Sequence, residues 1–226
     1  MSNQVKAVLG ALATIAVWAT AFPCSKIALQ HVDSLTLSVA RVVGGAMLML
    51  IIGVARGLHI PTSWREWGLY IVLGMTGNFV YQVVFNQGLM TIPAATSSII
   101  MALTPMTTAL MALVVYKDYM RPIGWVFTIT AFLGVAIIIL WNGSINIPVG
   151  AFWTLLGMVL FAIYNIVNRG LSLKGHDPIT VATWSMFTGA IMSLPFVSQS
   201  VANIAAAPAI TWAAIMYLAF FSSALG

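Results

Sequence analysis

Charge is nearly missing from this chain: of its 226 residues only 6% are Asp, Glu, Lys or Arg, while 61% are hydrophobic. The mean hydropathy is +1.02. No water-soluble fold could cover that much apolar chain with so little polar surface, so lipid must be the solvent for most of it. Carboxylates are scarcest, four against nine Lys and Arg, and the basic residues stand singly between apolar runs. Without a clustered basic face, nucleic acid is excluded as a partner. The single cysteine, Cys24, has no intramolecular disulfide partner. His31, His59 and His176 are read as loop residues on different sides, and neither a His-Glu-x-x-His nor a Gly-x-Ser-x-Gly motif occurs. Metal-assisted and acyl-transfer chemistry therefore lack their groups, an intramembrane enzyme is disfavoured, and neither a metal nor a cofactor is expected.

What is present is a series of apolar runs, each near the roughly 20 residues a helix needs to cross a hydrocarbon core. They fall at 7–29, 35–56, 67–89, 94–116, 123–141, 150–170, 179–197 and 211–226. The last covers only about 24 Å at helical rise, against a core of about 30 Å. Turn and cap residues separate them: Asp33-Ser34, Pro61-Thr62-Ser63, Pro93, Arg121-Pro122, Asn142-Gly143-Ser144, Asp177-Pro178 and Pro208. Lys6 alone precedes the first run and no small-residue cleavage site follows it, which reads as a retained helix and not a signal peptide.

Orientation follows from the positive charges, which are retained on the cytoplasmic side. With the N-terminus inside, the cytoplasmic segments hold Lys6, Arg56, Arg65, Lys117, Arg121, Arg169 and Lys174, and the opposite segments hold no Lys or Arg. Only Lys26 and Arg41 then lie within spans. The expected location is a cell membrane, multi-pass, with a cytoplasmic N-terminus.

The sixth and seventh runs laid over the first and second match at a nearly constant offset. Lys26 meets Arg169, Asp33 meets Asp177, Thr36 meets Thr180, and Gly45-Ala46 meets Gly189-Ala190; in the eighth run Trp212 meets Trp67. A repeat unit of five spans is odd, so its second copy enters the membrane from the other face, as in many secondary transporters. The expected organisation is a first repeat at 1–141 and an incomplete second at 142–226.

Trp18 through Phe22 to Lys26, then Ala40-Arg41, Leu103-Thr104-Pro105, Asp118, Pro122-Ile123-Gly124-Trp125 and Leu133-Gly134-Val135 follow one family's order of landmarks. In these residues the chain resembles the drug/metabolite transporter superfamily, EamA type. Ala19 stands where that family usually has Gly, Asp118 where it has Glu, and Phe127 where a later Gly falls. The resemblance implies an all-α polytopic bundle of inverted five-helix repeats, ten helices in all, about eight of them here. It implies secondary transport of small metabolites by alternating access: amino acids, related solutes or drugs, with export favoured. The remaining helices would lie beyond Gly226 or be supplied by a second copy in a homodimer or two-chain assembly; a non-transporting truncated protein is the alternative.

In inverted-repeat carriers the solute sits near the bilayer midplane, between the repeats. Trp18, Asn78, Tyr81, Gln82, Tyr164 and Asn165 are the polar and aromatic residues nearest span centres and form the candidate binding set. Asn78, Gln82 and Asn86 recur at four-residue spacing, one stripe of a helix. A row of amides in hydrocarbon must face protein or water, so the stripe is either a cavity wall or a set of interhelical hydrogen bonds. Lys26 and Arg41 are candidate anion contacts, because an ionisable group within a span defaults to a functional reading; for Lys26, snorkelling to the interface competes. Pro105 is expected to kink the fourth run, and Asp118 to cap a helix or pair with Lys117 or Arg121. No carboxylate lies near a midplane, which disfavours a proton relay within these residues.

Overall fold

Backbone polar groups in lipid must be bonded within their own segment, which leaves helices as the solution for runs of this kind. The computed structural model describes residues 3–140 and 148–225, which are all-α, with no strand among them. The helices are α1 (Asn3–Ala28), α2 (Ser34–Ala55), α3 (Trp64–Leu73), α4 (Val80–Thr91), α5 (Ala94–Met101) and α6 (Thr104–Val115). They continue with α7 (Pro122–Leu140), α8 (Val149–Leu173), α9 (Pro178–Ser193), α10 (Val197–Ala205) and α11 (Ala209–Tyr217). A π-helical segment, Gly74–Phe79, joins α3 to α4, and a second, Leu218–Leu225, follows α11.

Six stretches are long and apolar enough to cross a membrane: Val8–Ala28, Ser34–Ala55, Trp64–Thr91, Ala94–Val115, Val149–Leu173 and Pro178–Ala205. Pro122–Ile138 and Ala209–Ser223 are shorter apolar helices. Together these correspond to the eight runs of the sequence, with three differences. The third span starts at Trp64 because Ser63 caps it, its hydroxyl accepting from the Arg65 amide at 3.2 Å. The fourth breaks between Met101 and Thr104, with Pro105 in the first turn of α6, where its missing N–H is harmless. The seventh does not stop at 197: a 3₁₀ turn at Leu194–Phe196 absorbs Pro195, and helix resumes to Ala205. Trp141 and the expected turn at Asn142-Gly143-Ser144 lie outside the described residues.

The interior is built on two close crossings, α4 with α8 and α2 with α9. Glycine permits the first. A Cβ on Gly88 would overlap the Thr154 hydroxyl and lie 2.7 Å from the Gly150 carbonyl, and one on Gly150 would overlap the Thr91 hydroxyl. Such small-residue contacts let backbones approach where lipid supplies no hydrophobic drive.

Around the second crossing, positions paired in the sequence have paired surroundings. Asp33 caps α2 by accepting from the Thr36 amide at 2.6 Å, and Asp177 caps α9 by accepting from the Thr180 amide at 2.8 Å. A Cβ on Gly45 would meet the Met186 sulfur at 3.0 Å and the Ser223 Cβ at 3.3 Å. One on Gly189 would meet the Asn78 Cβ at 3.0 Å and a Val42 methyl at 3.3 Å. In the register of the repeat, Met186 answers Val42 and Ser223 answers Asn78, so α2 packs on the second π segment as α9 packs on the first.

Candidate functional site

Trp18, Phe22 and Ser25 occupy one face of α1, at i, i+4 and i+7. Each meets a different part of the interior. The Trp18 ring stands edge-on to Phe161 at 6.0 Å between centroids, Phe22 stands edge-on to Phe85 at 5.5 Å, and Ser25 reaches Arg41. From α4, Tyr81 stacks on Phe161 at 4.9 Å and on Phe85 at 5.8 Å, and Phe161 stacks on Tyr164 at 5.4 Å. Three helices thus build one aromatic column, Tyr81–Phe161–Tyr164, with Trp18 at its side and 41% exposed.

The amide stripe lies on the same span as Tyr81, running from the first π segment into α4. Asn78, Gln82 and Asn86 are all buried. Asn86 Nδ2 donates to Ser38 Oγ at 2.9 Å, and Asn78 Nδ2 reaches the Leu73 carbonyl at 3.5 Å, a contact within the π segment. Among the described residues, Gln82 Oε1 and Asn86 Oδ1 find no partner, and both are buried. An unsatisfied buried acceptor costs about 1–3 kcal/mol, and a native site that keeps one calls for a reason. Interhelical hydrogen bonding therefore accounts for part of the stripe, and two amide oxygens remain for something else.

Arg41 lies seven residues into α2 and is 7% exposed. Its guanidinium donates to Ser25 Oγ on α1 at 3.4 Å and to Ser222 and Ser223 Oγ on the second π segment, each at 3.2 Å. That segment can approach because Gly44 and Gly45 face it; a Cβ on Gly44 would lie 2.9 Å from the Ala219 Cβ.

Lys26 is differently placed. Its ammonium donates to the carbonyls of Leu89 at 2.6 Å, Ile92 at 3.0 Å and Met90 at 3.3 Å, satisfying the C-terminal end of α4. Of the two candidate anion contacts, then, one is engaged by backbone. Asn165 sits apart from the column's polar groups, Nδ2 donating to Thr108 Oγ1 at 3.4 Å, and serves the α6–α8 contact. Asp118 pairs with neither of its sequence neighbours but with Arg169 at 2.5 Å, the guanidinium lying 4.8 Å from the Tyr116 ring centre. His59 and His176, on segments both read as cytoplasmic, line one surface pocket with Glu66, Lys174 and Asp177; His31 lies elsewhere, its Nδ1 3.0 Å from Thr211 Oγ1. Among the described residues, no group of three or more His, Cys, Asp or Glu is arranged to hold a metal ion.

Sequence reasoning missed Phe22, Phe85 and Phe161, which complete the column, and Ser25, Ser222 and Ser223, which receive Arg41. Phe and Ser are ordinary in apolar helices, so only cross-helix geometry distinguishes these copies. The spacing of Trp18, Phe22 and Ser25 on one helical face was the available signal.

Comparison with known proteins gives a consistent picture. The model of the EamA-like transporter family matches residues 5–140 and 148–226. A protein of Streptantibioticus cattleyicolor named "Probable terminal-alkyne amino-acid exporter" is 28% identical over 98% of this chain and 74% of its own length. "Uncharacterized transporter YyaM" of Bacillus subtilis is 30% identical over 80% of this chain and 61% of its own length. This chain thus aligns with 61–74% of the length of these two relatives. A solved structure titled "Crystal structure of protein" superposes with a TM-score of 0.65 at 18% identity, covering 99% of this chain and 77% of that one.

Proposed function

The chain belongs to the EamA-like transporter family, and from that premise we propose that it moves a small metabolite across the cell membrane by alternating access, as an exporter of amino acids or related solutes. The observation that carries this reading is the aromatic column Tyr81–Phe161–Tyr164 between α4 and α8, edged by Trp18 of α1, with Gln82, the residue after Tyr81, buried and its amide oxygen without a partner among the described residues. Carrier and ligand sites combine a mostly apolar, aromatic lining with a few placed polar groups, and this is such a set. A similar protein's name, an amino-acid exporter, supports the solute class.

The paired environments of α2 and α9 support an organisation of two inverted repeats, 1–141 and 142–226, rocking about their crossing. The two π segments fall at corresponding positions of the proposed repeats, Gly74–Phe79 against α9 and Leu218–Leu225 against α2. π turns interrupt regular pairing and concentrate at functional sites, so both serve as the flexible points of the motion. The distribution of the basic residues supports a cytoplasmic N-terminus.

Flux into and out of proteoliposomes, screened over amino acids and small metabolites, tests the proposal. The native chain is expected to carry at least one solute class. Trp18→Ala and Gln82→Ala are expected to lower its flux at least tenfold while leaving membrane insertion and folding intact; native kinetics in both variants would remove the column as the solute site.

A further inference from the structure

The chain's four carboxylates are all accounted for away from Arg41. Asp33 and Asp177 cap α2 and α9, Asp118 is paired with Arg169, and Glu66 stands in the first turn of α3. Among the described residues, Arg41, buried in a span, therefore has only hydroxyl partners and no counter-charge. Hydroxyls satisfy N–H donors without neutralising the charge, and a buried charge left uncompensated is costly.

The lengths of these bonds argue further. Charge-assisted N–H···O bonds settle at roughly 2.7–2.9 Å, yet those from Arg41 measure 3.2–3.4 Å. Lys26, whose role is structural, reaches its nearest carbonyl at 2.6 Å. The serines form a loose cradle around the guanidinium and do not grip it.

Position completes the case. Ser38, which holds the Asn86 amide, lies one turn from Arg41 on the same face of α2, roughly 5–6 Å away between Cβ atoms. The unpaired Asn86 Oδ1 is thus an acceptor close to the cationic group. Along α1, Ser25 at the cradle and Trp18 at the column are about 10 Å apart at helical rise, the span of a small metabolite with one charged and one apolar end.

We infer that Arg41, in its cradle of Ser25, Ser222 and Ser223, binds the carboxylate of the transported solute, with the Asn86 oxygen open to a donor on that solute and the aromatic column receiving its apolar part. This rests on the transport reading for its physiological meaning, but binding can be tested without flux.

The test is thermal unfolding of the full chain in an uncharged detergent, titrated with L-leucine, with L-leucinamide, which lacks the carboxylate, with isovalerate, which lacks the ammonium and one methylene, and with chloride. Native protein is expected to show a saturable rise of roughly 2–4 °C with leucine and isovalerate and none with leucinamide. Arg41→Gln is expected to need at least tenfold more leucine or isovalerate for the same rise. Its melting temperature without ligand should equal or exceed the native value, because an uncompensated charge has been removed. Arg41→Lys, keeping the charge but not the fork, should fall between. Equal responses to leucine and leucinamide, or a native response in Arg41→Gln, would overturn the assignment. So would an Arg41→Gln chain that melts lower at every ligand concentration by the same amount, the mark of a structural role. A chloride response matching the carboxylates would assign the cradle to an inorganic anion and also overturn it. Binding of carboxylates without any flux in proteoliposomes would sink the transport reading alone; flux of leucine and leucinamide alike would sink this one alone.

Discussion

Gly77 lies flat against the ring of Tyr164: a Cβ at residue 77 would overlap the ring carbons. The first π segment therefore touches the aromatic column through a residue with no side chain, and the position of the Tyr164 ring is set by that absence.

Gly77→Ala should accordingly force the Tyr164 ring aside. Overpacking of this kind typically costs about 1–3 kcal/mol. Unfolding in detergent is expected to show that loss, and Tyr164→Ala in the same chain should recover most of it, since residues in contact are not additive. Fully additive losses would place the strain elsewhere.

Lys26→Met removes the donor to three carbonyls at the end of α4 while keeping the alkyl stem. Hydrogen bonds from a charged donor contribute about 1.5–3 kcal/mol, so the variant should unfold earlier. Its preference between leucine and leucinamide should stay native. A changed preference would mean that Lys26, and not Arg41 alone, faces the solute.

Asp33→Ala and Asp177→Ala each delete an N-cap, worth about 1 kcal/mol. The two losses are expected to be similar in size and to add in the double variant, because the caps share no partner. Chemical denaturation of the three variants checks this; strongly unequal losses would weaken the equivalence of α2 and α9.

Single cysteines in a Cys24→Ser background test the orientation. Residues 30–33 and 206–208 should react with a membrane-impermeant maleimide on intact cells, whereas residues 57–62 and 117–120 should react only after permeabilisation. The reverse pattern would turn the protein over in the membrane.

Much of this molecule could be read before its structure. Long apolar runs fix helices in lipid, and Asp33 and Asp177 announced their caps, because those effects act within a few residues of chain. The interruptions were harder. Nothing in Gly74–Phe79 or Leu218–Leu225 distinguishes a π turn from an α turn by composition, since what widens the helix is the packing of each segment against another helix. The site divides in the same way. Depth picked out Trp18, Tyr81 and Tyr164, which meet in one aromatic cluster, and equally Asn165, which bonds across to α6, while Lys26, picked as a charge within a span, bonds the end of α4. Depth can be read along one helix; which way a residue faces depends on neighbours far away in sequence. Arg41 could be flagged as a buried charge, but that its partners are three serines became visible only when Gly44 and Gly45 were seen admitting the second π segment.

At the crossing of α2 and α9, Gly45 takes the Met186 sulfur and Gly189 a Val42 methyl, so each helix fills with a side chain the notch the other leaves by having none. In the proposed rocking of the two repeats, that seam would be the fulcrum. With lever arms of about 15 Å, half a hydrocarbon core, a tilt of roughly 20° at that point would sweep a helix end through about 5 Å while scarcely displacing the atoms at the pivot. Widening either residue would push its partner's side chain out of the notch and stiffen the lever, so the stroke that the proposed motion needs would be limited by two hydrogen atoms in the middle of the membrane.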